Sequence, residues 1–299
     1  MTVSAAIWSA VLCMIFGANT AVIKISLAGL GKFTAAGLRF TIATTVIALW
    51  ARFSGRRYDV TREQIGPLAV NCTLFVLQTA LFYMGISRTL ASRGALLINV
   101  VPFFVLIFAH LFLPDDRINL SKILGMILGF GGVCLVLFDP QAMGSGVRSG
   151  DFFILAGTMV WAASAVYTKA IIDRFTPLHM VIYPMLCAIP IFFTAGWLWD
   201  DRMIFYIDSD IVYAILYQSL LSASIGFMAW TTMLQRYGAS TLHSFIFIMP
   251  IAGVFAGAWL LKEPITHHIV TAVVLVTIGI GLVNYKRRDI PPMLPPVRT

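Results

Sequence analysis

Long apolar runs alternate with short polar breaks along the whole chain. Ten runs come close to or exceed the ~20 residues that a helix needs to cross a bilayer. They cover 5–28, 33–52, 65–86, 91–113, 120–138, 151–171, 178–199, 209–236, 239–261 and 267–285. No run shows the apolar-polar alternation of a barrel strand, so the pattern predicts membrane-spanning helices. The runs also repeat: Ala91-Ser92, Pro102 and Asp115 recur as Ala239-Ser240, Pro250 and Glu263, each shifted by 148 positions. A duplicated apolar unit predicts two halves built around one site, which points toward a transporter.

Composition strengthens this reading. With 59% hydrophobic residues, 11% charged residues and a mean hydropathy of +0.89, the chain lies outside the range of soluble domains. The first run is too long for a removable leader and lacks a basic start and a small-residue cleavage site, so it is expected to stay as a span. Cys13, Cys72, Cys134 and Cys187 all fall inside runs without close spacing, which predicts packing roles and neither a disulfide framework nor a metal site.

The net charge of +8 resides in short loops beside the spans, so it encodes orientation and predicts no nucleic-acid partner. With the amino terminus in the cytoplasm, the inward segments collect most of the Lys and Arg, among them Arg52, Arg56, Arg57, Lys286, Arg287 and Arg288. The outward loops collect only Lys32, Arg88, Arg93, Arg148, Arg202 and Lys262. Both termini are therefore expected in the cytoplasm of a multi-pass protein of the inner (plasma) membrane. Its expected partners are the lipid bilayer and a small-molecule substrate, and the chain is expected to be a monomer.

The Gly/Ser-rich break after Asp139 separates five runs from five. Five is odd, so the second half must enter the membrane in the opposite sense. The expected fold is an all-α membrane protein of ten transmembrane helices, arranged as two inverted five-helix repeats around a central cavity. Residues 1–140 form the first repeat, 141–150 a linker, 151–288 the second repeat, and 289–299 a Pro-rich cytoplasmic tail expected to be disordered.

Several motifs carry a family resemblance. Phe16-Gly17-Ala18-Asn19 with Lys24, Ala36-Gly37-Leu38-Arg39-Phe40, Leu81 to Ile86 running into Ala91-Ser92, and Leu124-Gly125 to Gly131-Gly132 resemble the EamA repeat of the drug/metabolite transporter superfamily. The second half echoes it in Trp161-Ala162-Ala163-Ser164 with Lys169, in Ala239-Ser240 and in Lys262-Glu263-Pro264. Two features depart from the family pattern: Pro114-Asp115-Asp116 stands where Gly-Glu is usual, and Arg39 has no basic counterpart in the seventh span. Within the superfamily, length and aromatic content look most like the YddG aromatic amino acid exporters.

Helical spacing selects the candidate substrate-binding face. In the third span Asn71, Phe75, Gln78 and Phe82 share one side, and in the first span Phe16, Asn19 and Ile23 do. The repeat adds Trp161 and Ser164 from the sixth span and Trp230 from the eighth. The proline-bearing fourth and ninth spans add Asn99, His243, Ser244 and Phe247. Amides, hydroxyls and an imidazole among large rings suit a solute with a polar end and an apolar body. Each amide could instead bond a neighbouring helix, and Trp161 or Trp230 could face lipid. Pro102 and Pro250 are candidate hinges, because each interrupts the ladder of its span. Lys24 and Lys169 are candidate gate residues that could equally snorkel to headgroups, and Arg39 pairs with a carbonyl or lines an aqueous vestibule.

All thirteen Asp and Glu fall in loops or at span ends. Without a midplane carboxylate relay, facilitated diffusion is expected over proton coupling. Ser240 and His243 lie three apart but lack a Gly-x-Ser-x-Gly elbow, and no Walker loop or dinucleotide fingerprint is present. Neither an enzyme nor a cofactor is expected, and no metal or catalytic residue is assigned. The chain reads as a carrier that exports or exchanges small organic metabolites by alternating access, with amino acids bearing aromatic or apolar side chains as the expected substrates. Alternatives are a multidrug or nucleotide-sugar-like carrier, or a membrane receptor or scaffold.

The topology makes one testable statement. Single cysteines in the Phe53 to Arg62 loop and the Asp200 to Asp208 loop, on a background lacking the four native cysteines, should label from opposite sides of the membrane. Labelling of both from one side would overturn the inverted repeat.

Overall fold

The computed structural model describes residues 3–56, 59–112, 120–138, 145–171, 174–237, 245–246 and 248–284. The helices are α1 Val3–Ser26, α2 Lys32–Phe53, α3 Arg62–Ile86, α4 Ala91–Ile98, α5 Val101–Phe112, α6 Leu120–Leu137, α7 Ser145–Ile171, α8 Pro177–Trp199 and α9 Ser209–Leu216. A π-helical segment, Tyr217–Gly226, continues α9 into α10 Phe227–Tyr237, and α11 Ile248–Leu261 and α12 His267–Asn284 follow. Among the described residues, strand-like pairing is confined to a single bridge, Leu30 with Ile204.

Among the described residues, eight helical stretches are long and apolar enough to cross a membrane, with α4 and α5 together forming one of them. Apolar α11 and α12 are shorter, and most of the residues expected to open the ninth span, 239–247, lie outside the described set. The expected linker 141–150 is helical from Ser145 onward, so α7 starts earlier than the apolar pattern suggests. The expected tail 289–299 lies outside the described residues.

Local chemistry sets the helix ends. Thr176 opens α8 by accepting from the His179 amide, with Pro177 supplying a first-turn residue that needs no partner for its nitrogen. Asp208 caps α9 through the Ile211 amide at 2.9 Å. Asp200, just past α8, reaches across the chain and accepts from the Phe33 and Thr34 amides at 3.3 and 3.0 Å. It thereby holds the first turn of α2, which has no cap of its own from Gly31.

The helices pack mainly across the two halves. α2 lies on α8, α3 on α7 and α8, α1 on α11 and the π segment, α7 on α4 and α5, α4 on α11, and α6 on α12. Glycines permit the closest of these approaches. A Cβ at Gly279 of α12 would stand 2.6 Å from the Gly125 carbonyl of α6, and one at Gly125 would stand 2.7 Å from the Gly279 carbonyl.

The most buried ionic contact lies between halves. Arg93 in α4 donates through Nε to Asp151 Oδ2 at 3.2 Å and through Nη2 to the same oxygen, while Thr89 Oγ1 donates to Asp151 Oδ1 at 2.6 Å. Arg93 was expected in an outward loop, yet it is 1% exposed. Its opposite charge is Asp151, near the start of α7, which counts as a span-end acid in the sequence but is fully buried. Removing one partner strands a charge. Asp151→Asn or Arg93→Met should each cost about 3–5 kcal/mol of stability, and replacing both with apolar residues should recover most of it. Thermal unfolding in detergent reads the difference; additive losses in the double variant would show that the pair is not the coupled unit.

Candidate functional site

The face selected from the third span meets the sixth directly. Phe82 of α3 stands edge-on to Trp161 of α7, with ring centroids 5.8 Å apart, and a Cβ at Gly157 would stand 2.8 Å from the Phe82 ring. One turn along, Gln78 is buried and its Oε1 has no hydrogen-bond partner. Trp161 is 38% exposed, so its ring is only partly covered. Ser164 lies on α7 and is buried.

A second aromatic group joins α1 to α10. Phe16 is 5.8 Å from Phe227 and 6.0 Å from Trp230, the latter edge-on. Asn19, one turn along α1, is half-buried, and its Oδ1 also lacks a partner. An unpaired amide oxygen in a membrane interior is costly unless something with a donor meets it. The two ring pairs each lie beside one such oxygen.

Other selected residues have internal roles in this structure. Phe75 stands 5.2 Å from Phe40, which itself stacks on Phe192, so its ring is part of the α2–α3–α8 core. Asn99 turns its side chain back onto the Ala95 carbonyl at 2.7 Å, ending α4. The break at Asn99–Val100 comes just before Pro102, whose missing N–H could not have continued the ladder, and α5 restarts at Val101. Pro250 likewise lies in the first described turn of α11. His243, Ser244 and Phe247 lie outside the described residues. Asn71 is engaged by Thr168 Oγ1 at 3.2 Å.

The basic candidates separate. Lys169 is exposed on the last turn of α7. Lys24 turns inward from the last turn of α1 and donates to the carbonyls of Ile86, at 3.3 Å, and Thr89. Arg39 is buried, donates from Nη2 to Ser222 Oγ at 3.4 Å and lies over the Phe40 ring at 5.5 Å.

Sequence reasoning missed the polar cluster that Lys24 belongs to. Glu263 accepts from the amides of Ala91 and Ser92 at 2.6 and 2.8 Å and from Ser92 Oγ at 2.7 Å, capping α4 from the other half of the chain. Lys262 adopts φ 57°, and this left-handed turn after α11 lets Glu263 point back along the helix it follows. A Cβ at Gly257 would stand 2.8 Å from Glu263 Oε2, so glycine there leaves room for the carboxylate. The repeat had marked Glu263 as an acid after a proline-bearing run, but nothing in a one-dimensional pattern shows that its partners are amides 171 and 172 positions away. Gln218 was also missed: fully buried in the π segment, it accepts from Tyr83 OH at 2.8 Å and donates to Ser26 Oγ at 3.1 Å.

A groove of about 830 Å³ lies elsewhere, between α1, α2 and α10, bounded by Trp8, Trp50, Arg56 and Met228 with Ser224 at its inner side. None of the residues selected from the sequence lines it.

Apolar helices of membrane-spanning length, packed across two halves and holding polar groups inside, define a multi-pass membrane transporter. Residues 3–138 and 148–285 each match the EamA-like transporter family, and the chain belongs to that family. It is 26% identical over 268 residues to an uncharacterized transporter of Archaeoglobus fulgidus, covering 89% of this chain and 93% of that one. It is also 26% identical over 276 residues to an Escherichia coli protein described as "Probable amino-acid metabolite efflux pump", covering 89% and 90%. A solved structure with 14% identity superposes with a TM-score of 0.70 over 94% of this chain and 96% of that chain, a likeness of fold.

The Glu263 cap is open to direct test. Glu263→Ala leaves two buried amides and a hydroxyl without their acceptor and should lower stability by about 1–3 kcal/mol, with Glu263→Gln losing less. Unchanged unfolding temperatures for both variants would remove the cap from the account.

Proposed function

We propose that this protein exports or exchanges amino acids with aromatic or apolar side chains across the inner membrane, by alternating access of two inverted five-helix repeats. The observation that carries the proposal is the pairing of unsatisfied amide oxygens, on Asn19 and Gln78, with the ring pairs Phe16–Trp230 and Phe82–Trp161. The amides suit the ammonium group of an amino acid, and the rings suit its side chain. Relatives described as amino-acid metabolite efflux pumps support the substrate class.

Symmetry in the packing supports the inverted repeat. α1 on α11 is answered by α7 on α4 and α5, α3 on α7 by the π segment on α1, and α3 on α8 by α2 on the π segment, while α2–α8, α4–α11 and α6–α12 pair like with like. Each relation is the one that exchanging the halves would generate. In this reading the chain has ten spans, works as a monomer and keeps both termini in the cytoplasm. The cluster of Lys24, Thr89, Asp151, Arg93 and Glu263 then lies at the outward end and forms the closed outward gate. Pro102 and Pro250 mark the hinges, beside the end of α4 and within the first described turn of α11. Net flux follows the substrate gradient.

Labelled amino acid counterflow in proteoliposomes should show uptake that an uncoupler leaves nearly unchanged; accumulation driven by a pH gradient alone would overturn the facilitated mode. Trp161→Ala should weaken transport of aromatic substrates by about 1–3 kcal/mol of lost contact and spare small ones. Gln78→Ala should impair both, because the polar end is common to them. Wild-type substrate ratios in Trp161→Ala, at normal folded yield, would place the ring outside the path.

A further inference from the structure

Among the described residues two guanidinium groups are buried within the helical core, and they are balanced differently. Arg93 is 1% exposed and meets the carboxylate of Asp151. Arg39 is 6% exposed, and its polar contacts are neutral hydroxyls, Ser222 at 3.4 Å and Tyr83. Its Nε has no acceptor, and among the described residues it forms no ion pair. A guanidinium cannot shed its proton in a protein, so burial cannot neutralise it as it would a lysine. Two neutral hydroxyls and one ring face leave the charge itself uncompensated. A group of this kind needs an anion.

The surrounding polar groups do not provide one. The Tyr83 hydroxyl gives its proton to Gln218 Oε1 at 2.8 Å and turns its oxygen to the guanidinium, but it is a neutral partner. Gln218 Nε2 in turn donates to Ser26 Oγ, and Ser224 Oγ, two residues beyond Ser222, donates to the Ser219 and Ala43 carbonyls. All of these groups are neutral, so none of them balances the charge of Arg39. Nε and Nη2 lie on one edge of the guanidinium plane, a fork that matches the two oxygens of a carboxylate. Ser222 lies on the π segment, and π turns within α-helices occur often at functional sites. The location also suits recognition, because Phe40, stacked under Arg39, contacts Phe75 on the α3 stripe that carries Gln78 and Phe82.

We propose that Arg39, through its Nε/Nη2 edge, with the Ser222 hydroxyl, is the carboxylate anchor of the carrier, located where α2, α3 and the π segment meet. The choice of ligand rests on the amino-acid reading above: the carboxylate is the group common to every substrate, and Arg39 would bind that end. A solute without the carboxylate would leave the buried charge uncompensated and would be rejected even if its side chain fitted the rings.

Thermal unfolding of the purified full-length protein in detergent tests this directly, with sodium 3-phenylpropionate as the probe and its amide as the uncharged control, in sodium chloride at constant ionic strength. The acid should stabilise the wild type saturably and the amide should not. In Arg39→Gln the midpoint for the acid should rise ~10- to 100-fold, as expected for loss of a charged hydrogen-bonded contact. Arg39→Lys and Ser222→Ala should fall between, and they supply the same reading if Arg39→Gln does not fold. No stabilisation of the wild type by the acid, an equal response to acid and amide, or a wild-type midpoint in the Arg39 variants would each overturn the anchor. Counterflow separates the two proposals. If no amino acid moves while carboxylate binding through Arg39 persists, the amino-acid reading fails and the anchor stands.

Discussion

A helix that ends inside a membrane protein leaves backbone amides with no water to satisfy them, and this fold meets that constraint with side chains from the opposite half of the chain. Glu263 closes the amide end of α4 from beyond α11, and Asp200 closes that of α2 from beyond α8. Lys24 does the converse, giving its ammonium protons to carbonyls left free after α3. The Glu263 and Asp200 contacts therefore do two things: they make an interrupted helix tolerable, and they tie one repeat to the other, while the Lys24 contact closes a helix end within the first repeat. The Arg93–Asp151 pair, joined by Thr89, adds a third tie between the repeats. A carrier needs ties that are strong when made and can be released as a set. Hydrogen-bonded charges at helix ends meet that need better than continuous apolar packing.

The remaining packing depends on close backbone approach. Glycines at α6–α12 and at Gly257 bring helices near enough that carbonyls and carboxylates occupy the space where side chains would be. The outer surface carries exposed rings such as Trp197, Trp199 and Trp259. The result is a core in which polarity is sorted. The ion pair and the carboxylate caps collect at the helix ends, where Arg93 Nη1 alone of that guanidinium lacks an acceptor, while the unpaired oxygens of Asn19 and Gln78 and the unbalanced Arg39 lie beside aromatic rings. A ligand that brings an ammonium, a carboxylate and an aromatic or apolar body would satisfy all three.

The duplication, the apolar spans and the family were legible in the chain, because each is written in local spacing: ~20-residue runs, a constant shift of 148, and motifs at fixed intervals. Phe82 with Trp161 and Phe16 with Trp230 could also be selected, since helical periodicity puts them on shared faces before any packing is known. Periodicity could not say which face of Phe75 or Asn99 would be taken up by the protein itself, because that depends on which helix lies alongside. Charge was the least legible property. Arg93 and Asp151 looked like solvated loop or end residues, and only the tertiary structure brought them together and excluded water. The same holds for Glu263, whose partners are 171 and 172 positions away, and for Arg39, whose significance comes from what fails to surround it. Sequence determined which segments enter the membrane and in what repeat, since transfer from water to hydrocarbon is settled segment by segment. Tertiary structure decided which buried polar groups are satisfied and which are not, since hydrogen bonds and ion pairs act only at contact distance.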